Sequence, residues 1–464
     1  MNPPLPHRLA VPPRLSRWLS PLLFVLLASA LPSALWSGTA WAADSMAVQE
    51  PRLALSLADA RRLWQEHSRE LRLSRIAVSG ADADRITAGQ APNPQLSVNV
   101  GSVSPWEGVG AGSLRNKRMD SVFRLEQLVE RGNKRELRTK VAEAQLEATR
   151  RLADDVARQQ YQTLIGAYYD LKLAESRLQV LSETAQLYRE GVTASERRLK
   201  AGDIARSELA RFSVEAVKAE NDRRQAEADR AAAQVALAYL IGRDAEAAQL
   251  RTADDWPPLG QPLPTADAAT LAARPDVAAA RARSEAAEQA RELARSLRTR
   301  DVTVGVQFEH NVTNPPLNSY GVGVSVPLFL RYSYEGEIAR AEADLSAARE
   351  DQARIEATAL GEVNTARAAA LSAEARRSAA EAALLPDAER VAKAAEYAYK
   401  RGAAGLIDLL DARRTLRQSQ QDVLQARNDH ARALAAYRAA LGQGAAEAGR
   451  NAPAAAATAS GTQP

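Results

Sequence analysis

The stretch YKRGAAGLIDLLDARRTL, Tyr399 to Leu416, interrupts a long alanine-rich helical run with two glycines, then sets two aspartates three residues apart among leucines. Two hundred residues earlier, LKAGDIARSELARF, Leu199 to Phe212, carries the same Lys-x-Gly break. Gly202 thus pairs with Gly402, and Glu208 with Asp408. A glycine tolerates positive φ and is the least strained way to end a helix that must turn back. Each stretch therefore predicts the tip of a helical hairpin that rises again through Leu209 to Gly242, or through Leu409 to Gly442.

The descending helices are longer than a globular core can use. No proline lies between Pro105 and Pro257, and Asn133 to Lys200 contains only Gly166 and Gly191 as weak breakers. About 68 residues at ~1.5 Å each reach roughly 100 Å. Leu171, Leu178, Ala185, Val192 and Leu199 lie seven apart, with Ala174, Leu181 and Tyr188 between them, which is coiled-coil spacing. Leu371, Leu385, Ala392 and Tyr399 repeat that register in the second copy, where Pro386 is expected to kink or divide the helix.

Upstream of each hairpin the sequence repeats a second pattern. Helix signals from Ser56 to Ile86 lead to a Pro-flanked turn at residues 91–94, then to two strand patterns. In the first, Leu96, Val98 and Val100 alternate with Ser97, Asn99 and Gly101; in the second, Phe123 and Leu125 stand against Arg124 and Glu126. The second copy runs from a helical segment, Thr265 to Leu297, into Val302, Val304, Val306 and Phe308, and then into Tyr320, Val322, Val324, Val326 and Leu328 against Gly321, Gly323, Ser325 and Pro327. Period two is plain in all but the second strand. The expected organisation is a first repeat over 43–242, a linker over 243–266, a second repeat over 267–442 and a disordered tail over 443–464.

Residues 1–42 read as an export signal. Arg8, Arg14 and Arg17 precede an apolar run from Leu19 to Leu31, and Ala40-Trp41-Ala42 is a small-x-small cleavage site. Its removal takes three arginines and no acid, leaving 58 Lys+Arg against 57 Asp+Glu, so charge gives no support to nucleic-acid binding. There is no cysteine, which excludes disulfides, thiolate metal sites and a lipidated N-terminal cysteine. Only 5% of the chain is aromatic, and alanine inflates the 46% apolar share, as suits packed helices.

Strands of eight to ten residues with one apolar and one polar, Gly-rich face match membrane β-strands. Four such strands cannot close a barrel, and an open edge in lipid leaves backbone groups unpaired at several kcal/mol each. The chain is expected to contribute staves to an oligomer, and three chains give about twelve strands, an allowed even count. A small soluble sheet packed on the helices is the competing reading.

The sequence resembles the TolC-like outer-membrane efflux proteins from about Leu57 to Gly442. The resemblance rests on the duplicated strand-strand-hairpin order, on the two tip segments, and on SVPLFLRYSYEGEIARAEADL, where a strand runs into the descending helix. The segment LEQLVERGNKRELR, Leu125 to Arg138, is similar to the heavy-metal, CzcC-like branch. The resemblance implies a mainly α fold with a small β part. It implies a homotrimeric tunnel, with a β-barrel in outer-membrane lipid continued by periplasmic helical hairpins. An adaptor protein docks such a tunnel, by way of its tips at Gly202 and Gly402, onto an inner-membrane proton-driven pump of the RND type. Heavy-metal cations are the cargo expected from the branch, with drug or other small-molecule efflux or type I secretion as alternatives.

The resemblance also places Asp408 and Asp411 as stacked carboxylate rings at the periplasmic mouth, and Ser207, Glu208 and Tyr399 in the polar links that hold it shut. Ala404 stands where a basic partner is expected, and Arg401 or Arg206 are the candidates to replace it. No cofactor is expected, and His67, His310, His430, Met46 and Met119 are too scattered to ligate a metal. No nucleophile-base pair or phosphate-cradling loop points to catalysis. Gly108 to Arg118, with Arg115, Lys117 and Arg118, reads as an extracellular loop. A periplasmic adaptor would carry one hairpin flanked by small β-domains, and a structural coiled coil would lack strands and signal.

Overall fold

The computed structural model describes residues 53–102, 119–312, 315 and 317–443. The export signal, the 108–118 loop and the tail beyond Gln443 lie outside them.

The chain opens with a short strand β1, Leu53–Leu55, and two helices, α1, Leu57–His67, and α2, Arg69–Ala88. The helix signals read from Ser56 to Ile86 form two helices, divided at Ser68. Its backbone takes φ −57° and ψ 128°, and its hydroxyl accepts the Leu71 amide as a new N-cap. Strands β2, Gln95–Gly101, and β3, Asp120–Val129, precede α3, Lys134–Ala201, which runs 68 residues without interruption, and α4, Arg206–Ile241. After β4, Leu250–Thr252, the order repeats: α5, Ala268–Ala272, and α6, Pro275–Ser296, then β5, Val302–Asn311, and β6, Leu317–Ser325, then α7, Glu335–Ala379, α8, Leu385–Lys400, and α9, Leu406–Ala440. Between α5 and α6 the chain breaks at Arg274, whose ψ of 136° is forced by the ring of Pro275.

Pro386 divides the second descending helix as expected, through a π-turn at Ala380–Leu384. Proline has no N–H to donate and its ring crowds the carbonyl four residues back, so one extra residue is taken into the turn. That insertion shifts the seam. Leu371, placed in the stripe by its spacing from Leu385, is half exposed, whereas Ala370, one residue earlier, is buried against Val363, Tyr437 and Leu441.

A four-stranded antiparallel sheet has the order β2-β3-β5-β6. Its register places Leu96, Leu125, Val306 and Val322 side by side across all four strands, and Val98, Phe123, Phe308 and Tyr320 likewise. The Phe123 and Phe308 rings lie 6.2 Å apart, and Phe308 and Tyr320 5.3 Å apart. Ser97, Arg124, Gln307 and Gly321 form a row on the opposite face, where Arg124 donates to Gln307 at 2.7 Å. The weak alternation of β3 has its reason here: Val122 and Leu128 lie on the polar face and Gln127 on the apolar one. Val326 lies one residue beyond the end of β6, because Pro327 cannot extend the ladder. Among the described residues neither β2 nor β6 has a second strand partner.

The largest core among the described residues is built by the first copy and the segment that follows it, with Ala431 from the second copy packed against it. Trp64, Leu164, Tyr168, Leu171, Leu237 and Ile241 are buried there, under a parallel pairing of β1 with β4. The segment expected as a linker is thus part of a sheet: Tyr168 donates to the Leu55 carbonyl at 3.0 Å and to Asp254 at 3.2 Å, closing the core over it.

Candidate functional site

At the far end of the hairpins the chain turns twice. Gly202 and Gly402 both adopt positive φ, 82° and 73°, and both end their helices by donating backward to carbonyls in the last turn. Between the hairpins lies a small core of Ala185, Tyr188, Phe212, Leu406, Leu409 and Leu410. Gly191, read from sequence as a weak breaker, serves this core: a Cβ there would stand 3.0 Å from the Phe212 ring. Its missing side chain is the seat of that ring.

Tyr399, on the last turn of α8, reaches the first hairpin. Its hydroxyl donates to Glu208 Oε1 at 2.9 Å and accepts from Arg198 Nη1 at 3.1 Å, with the Arg198 guanidinium 5.7 Å from the ring centroid. Burial and the neighbouring Glu208 carboxylate push the Tyr399 hydroxyl above its ordinary pKa, so it stays a donor at neutral pH. Arg198 is thus the cation that meets Tyr399. Arg401 instead stacks on Tyr397 at 5.3 Å, and Arg206 and Ser207 are exposed in the first turn of α4. Sequence reasoning missed Arg198, whose partner is 201 residues away; its position one turn before Gly202 was the available signal.

The two aspartates differ. Asp408 caps its own helix, its Oδ2 accepting the Gly405 amide at 3.1 Å. Asp411 is exposed and takes one bond from Arg414 at 3.2 Å. Arg414 is held more firmly by Glu215, at 2.6 Å, and this contact pulls the buried Glu215 carboxyl below its usual pKa. Arg417 and Asp222, 2.9 Å apart, continue the ladder between α9 and α4. A groove of about 430 Å³ opens beside Val214, Glu215, Ile407, Asp411 and Arg414. The arrangement places exposed acids on the surface of the tips, with guanidinium groups tying one hairpin to the other. Among the described residues no group of three His, Cys, Asp or Glu is placed to hold a metal ion, and no helix is long and apolar enough to cross a membrane.

The fold has relatives among known proteins. The cobalt-zinc-cadmium resistance protein CzcC of Cupriavidus metallidurans is 26% identical over 336 residues, covering 71% of this chain and 76% of CzcC. The outer membrane protein VceC of Vibrio cholerae superposes with a TM-score of 0.67 at 20% identity, over 83% of this chain and 96% of VceC. The Campylobacter jejuni CmeC outer membrane channel superposes with a TM-score of 0.73 at 15% identity, over 84% of this chain and 86% of CmeC. The model of the outer membrane efflux protein family matches both copies, residues 61–243 and 268–443, and this chain belongs to that family.

Proposed function

We propose that this outer-membrane efflux channel is built from three copies of the chain and conducts heavy-metal cations passively from a periplasmic adaptor and an inner-membrane RND-type pump to the exterior. The observation that carries the reading is the sheet: four strands, one continuous apolar face, and, among the described residues, two edges without a strand partner. Lipid tolerates no such edge, so β6 of one copy meets β2 of the next until the wall closes. The hairpins continue that wall on the periplasmic side, and their tips form the contact with the adaptor. Removal of residues 1–42 precedes assembly.

The cargo reading draws on the similarity to a cobalt-zinc-cadmium resistance protein and on the acids at the mouth. Three exposed Asp411 carboxylates favour cations over anions, and three capping Asp408 carboxylates add to the field from the helix starts. Tyr399, with Glu208 and Arg198, holds the two hairpins of each copy together in the closed state, with Ser207 beside them. Replacement of Asp408 and Asp411 by alanine is expected to lower the cation selectivity of single channels in a planar bilayer; unchanged selectivity refutes the rings. Deletion of the gene is expected to sensitise the cell to cobalt, zinc or cadmium. Sensitivity to drugs alone would move the cargo to another class while leaving the channel in place.

A further inference from the structure

The apolar face of the sheet does not end with β6. Beyond Ser325 the chain runs as an irregular segment to α7, and Leu328, Leu330 and Tyr332 remain 68%, 84% and 53% exposed. They continue the spacing of Tyr320, Val322 and Val324, which are themselves exposed on the apolar side of β6. Phe329 and Tyr332 pack on Tyr334 at 5.3 Å and 5.0 Å, forming an aromatic knot at the helix start.

Exposed arginines gather around this knot. Arg300 lies 5.4 Å from the Phe329 ring centroid. The Arg131 amide donates to Asp301 at 2.9 Å, which brings the turn before α3 to the same level. Arg298 stands near Glu335, and Arg331 lies within the segment. The local acids are already engaged, Glu335 by Ser333 and Glu337 by Tyr332. An apolar surface continuous with the membrane face, rimmed by aromatic rings and guanidinium groups, has the chemistry of a bilayer boundary. A guanidinium matches a phosphate in a planar, two-pronged contact.

We propose that residues 326–334, with Arg131, Arg298 and Arg300, form a collar that holds anionic phospholipid headgroups at the periplasmic face of the outer membrane. The collar fixes the height at which the sheet meets the helices. This inference rests on the channel reading above, because it needs the apolar face in lipid.

The test uses the purified mature protein, delipidated in detergent and then offered phosphatidylglycerol or phosphatidylethanolamine of matched chains, with retained lipid counted by native mass spectrometry. Phosphatidylglycerol is expected to be retained preferentially. The R300Q/R331Q double variant is expected to weaken that preference by about fivefold per arginine, and R300K/R331K to keep most of it. Equal retention of the two lipids by the unaltered protein, or an undiminished preference in R300Q/R331Q, overturns the collar. Competition by inorganic phosphate at equal concentration would also overturn it, by making the site one for a free anion. Conductance of the same preparation in a planar bilayer reports on the channel separately: a conducting trimer without lipid preference removes the collar alone.

Discussion

The two ends of each hairpin carry the same punctuation in opposite surroundings. At the tips, Gly202 and Gly402 have positive φ, and a Cβ added to either would meet no atom within 4 Å. At the upper ends, Gly242 and Gly442 also have positive φ, 68° and 75°, but a Cβ would stand 2.6 Å from His67 Cβ in the first case and 3.4 Å from Arg274 Cγ in the second. The upper end is filled by aromatic and aliphatic side chains and by Arg274, which is fully buried between Asp276, Glu362 and the carbonyl of Ala440. The lower end is tied mostly by side chains that water also reaches. The same backbone device thus serves a densely packed end and an open one.

That contrast can be broken at its strongest point. Replacing Arg274 by alanine strips two carboxylates and the carbonyls of Ala359 and Ala440 of their partner, which is expected to cost about 3–5 kcal/mol. The thermal midpoint of the detergent-solubilised protein would show it, and an unchanged midpoint would mean that the upper end is not the anchor. Gly242→Ala is the next largest, at about 3 kcal/mol, from left-handed strain of roughly 1–2 plus overlap with His67. Gly402→Ala suffers the strain alone, about 1–2 kcal/mol. Equal losses in the two glycine variants would erase the distinction between the ends.

Tyr399→Phe removes the hydroxyl that bridges Arg198 and Glu208 and keeps the ring. About 1 kcal/mol is expected from the lost bond, seen as a higher open probability in bilayers with little change in thermal midpoint. A large drop in the midpoint would place Tyr399 in the densely packed part of the molecule.

The smallest effect separates the ends by pH. His430 is buried at the upper end, where it meets Arg377 at 3.2 Å, with Glu374, Glu381 and Arg438 also nearby. Burial and the Arg377 charge hold its pKa below the ordinary 6.5. The unfolded state therefore takes up the proton first, and stability is lost as pH falls from 6.5 toward the folded value. Glu215 at the tip is an acid held below the ordinary 4.5, so its contribution is full above that pH and fades only below it. Amide exchange at pH 5.5 is expected to quicken around residues 377–384 and not around 208–215, and His430→Gln is expected to abolish the difference.

Much of this was legible before any coordinates. The tip glycines, the continuous run from Lys134 to Ala201, the division at Pro386 and the alternation of the strands are local, because each depends on φ, on a missing N–H or on a period of two or seven. Leu371 shows where local reading slips: its spacing was sound until the π-turn at Ala380–Leu384 rotated the helix by one residue. The contacts at the hairpin tips were legible in part. Asp408, Asp411, Glu208 and Tyr399 were named from the chain, but the bond from Arg198 and the Glu215–Arg414 pair were not.

By itself the sequence determined the elements, their duplication and the faces of the strands, since hydrophobic period and backbone chemistry act within a few residues. Only the tertiary structure decided which cation meets Tyr399, that β1 pairs with β4 of the segment between the copies, and that a row such as Val98, Phe123, Phe308 and Tyr320 crosses all four strands. Those contacts join residues up to about two hundred positions apart. An arginine carries nothing in its own neighbourhood to say which of many distant acids and rings it will reach; packing of the long helices makes that choice.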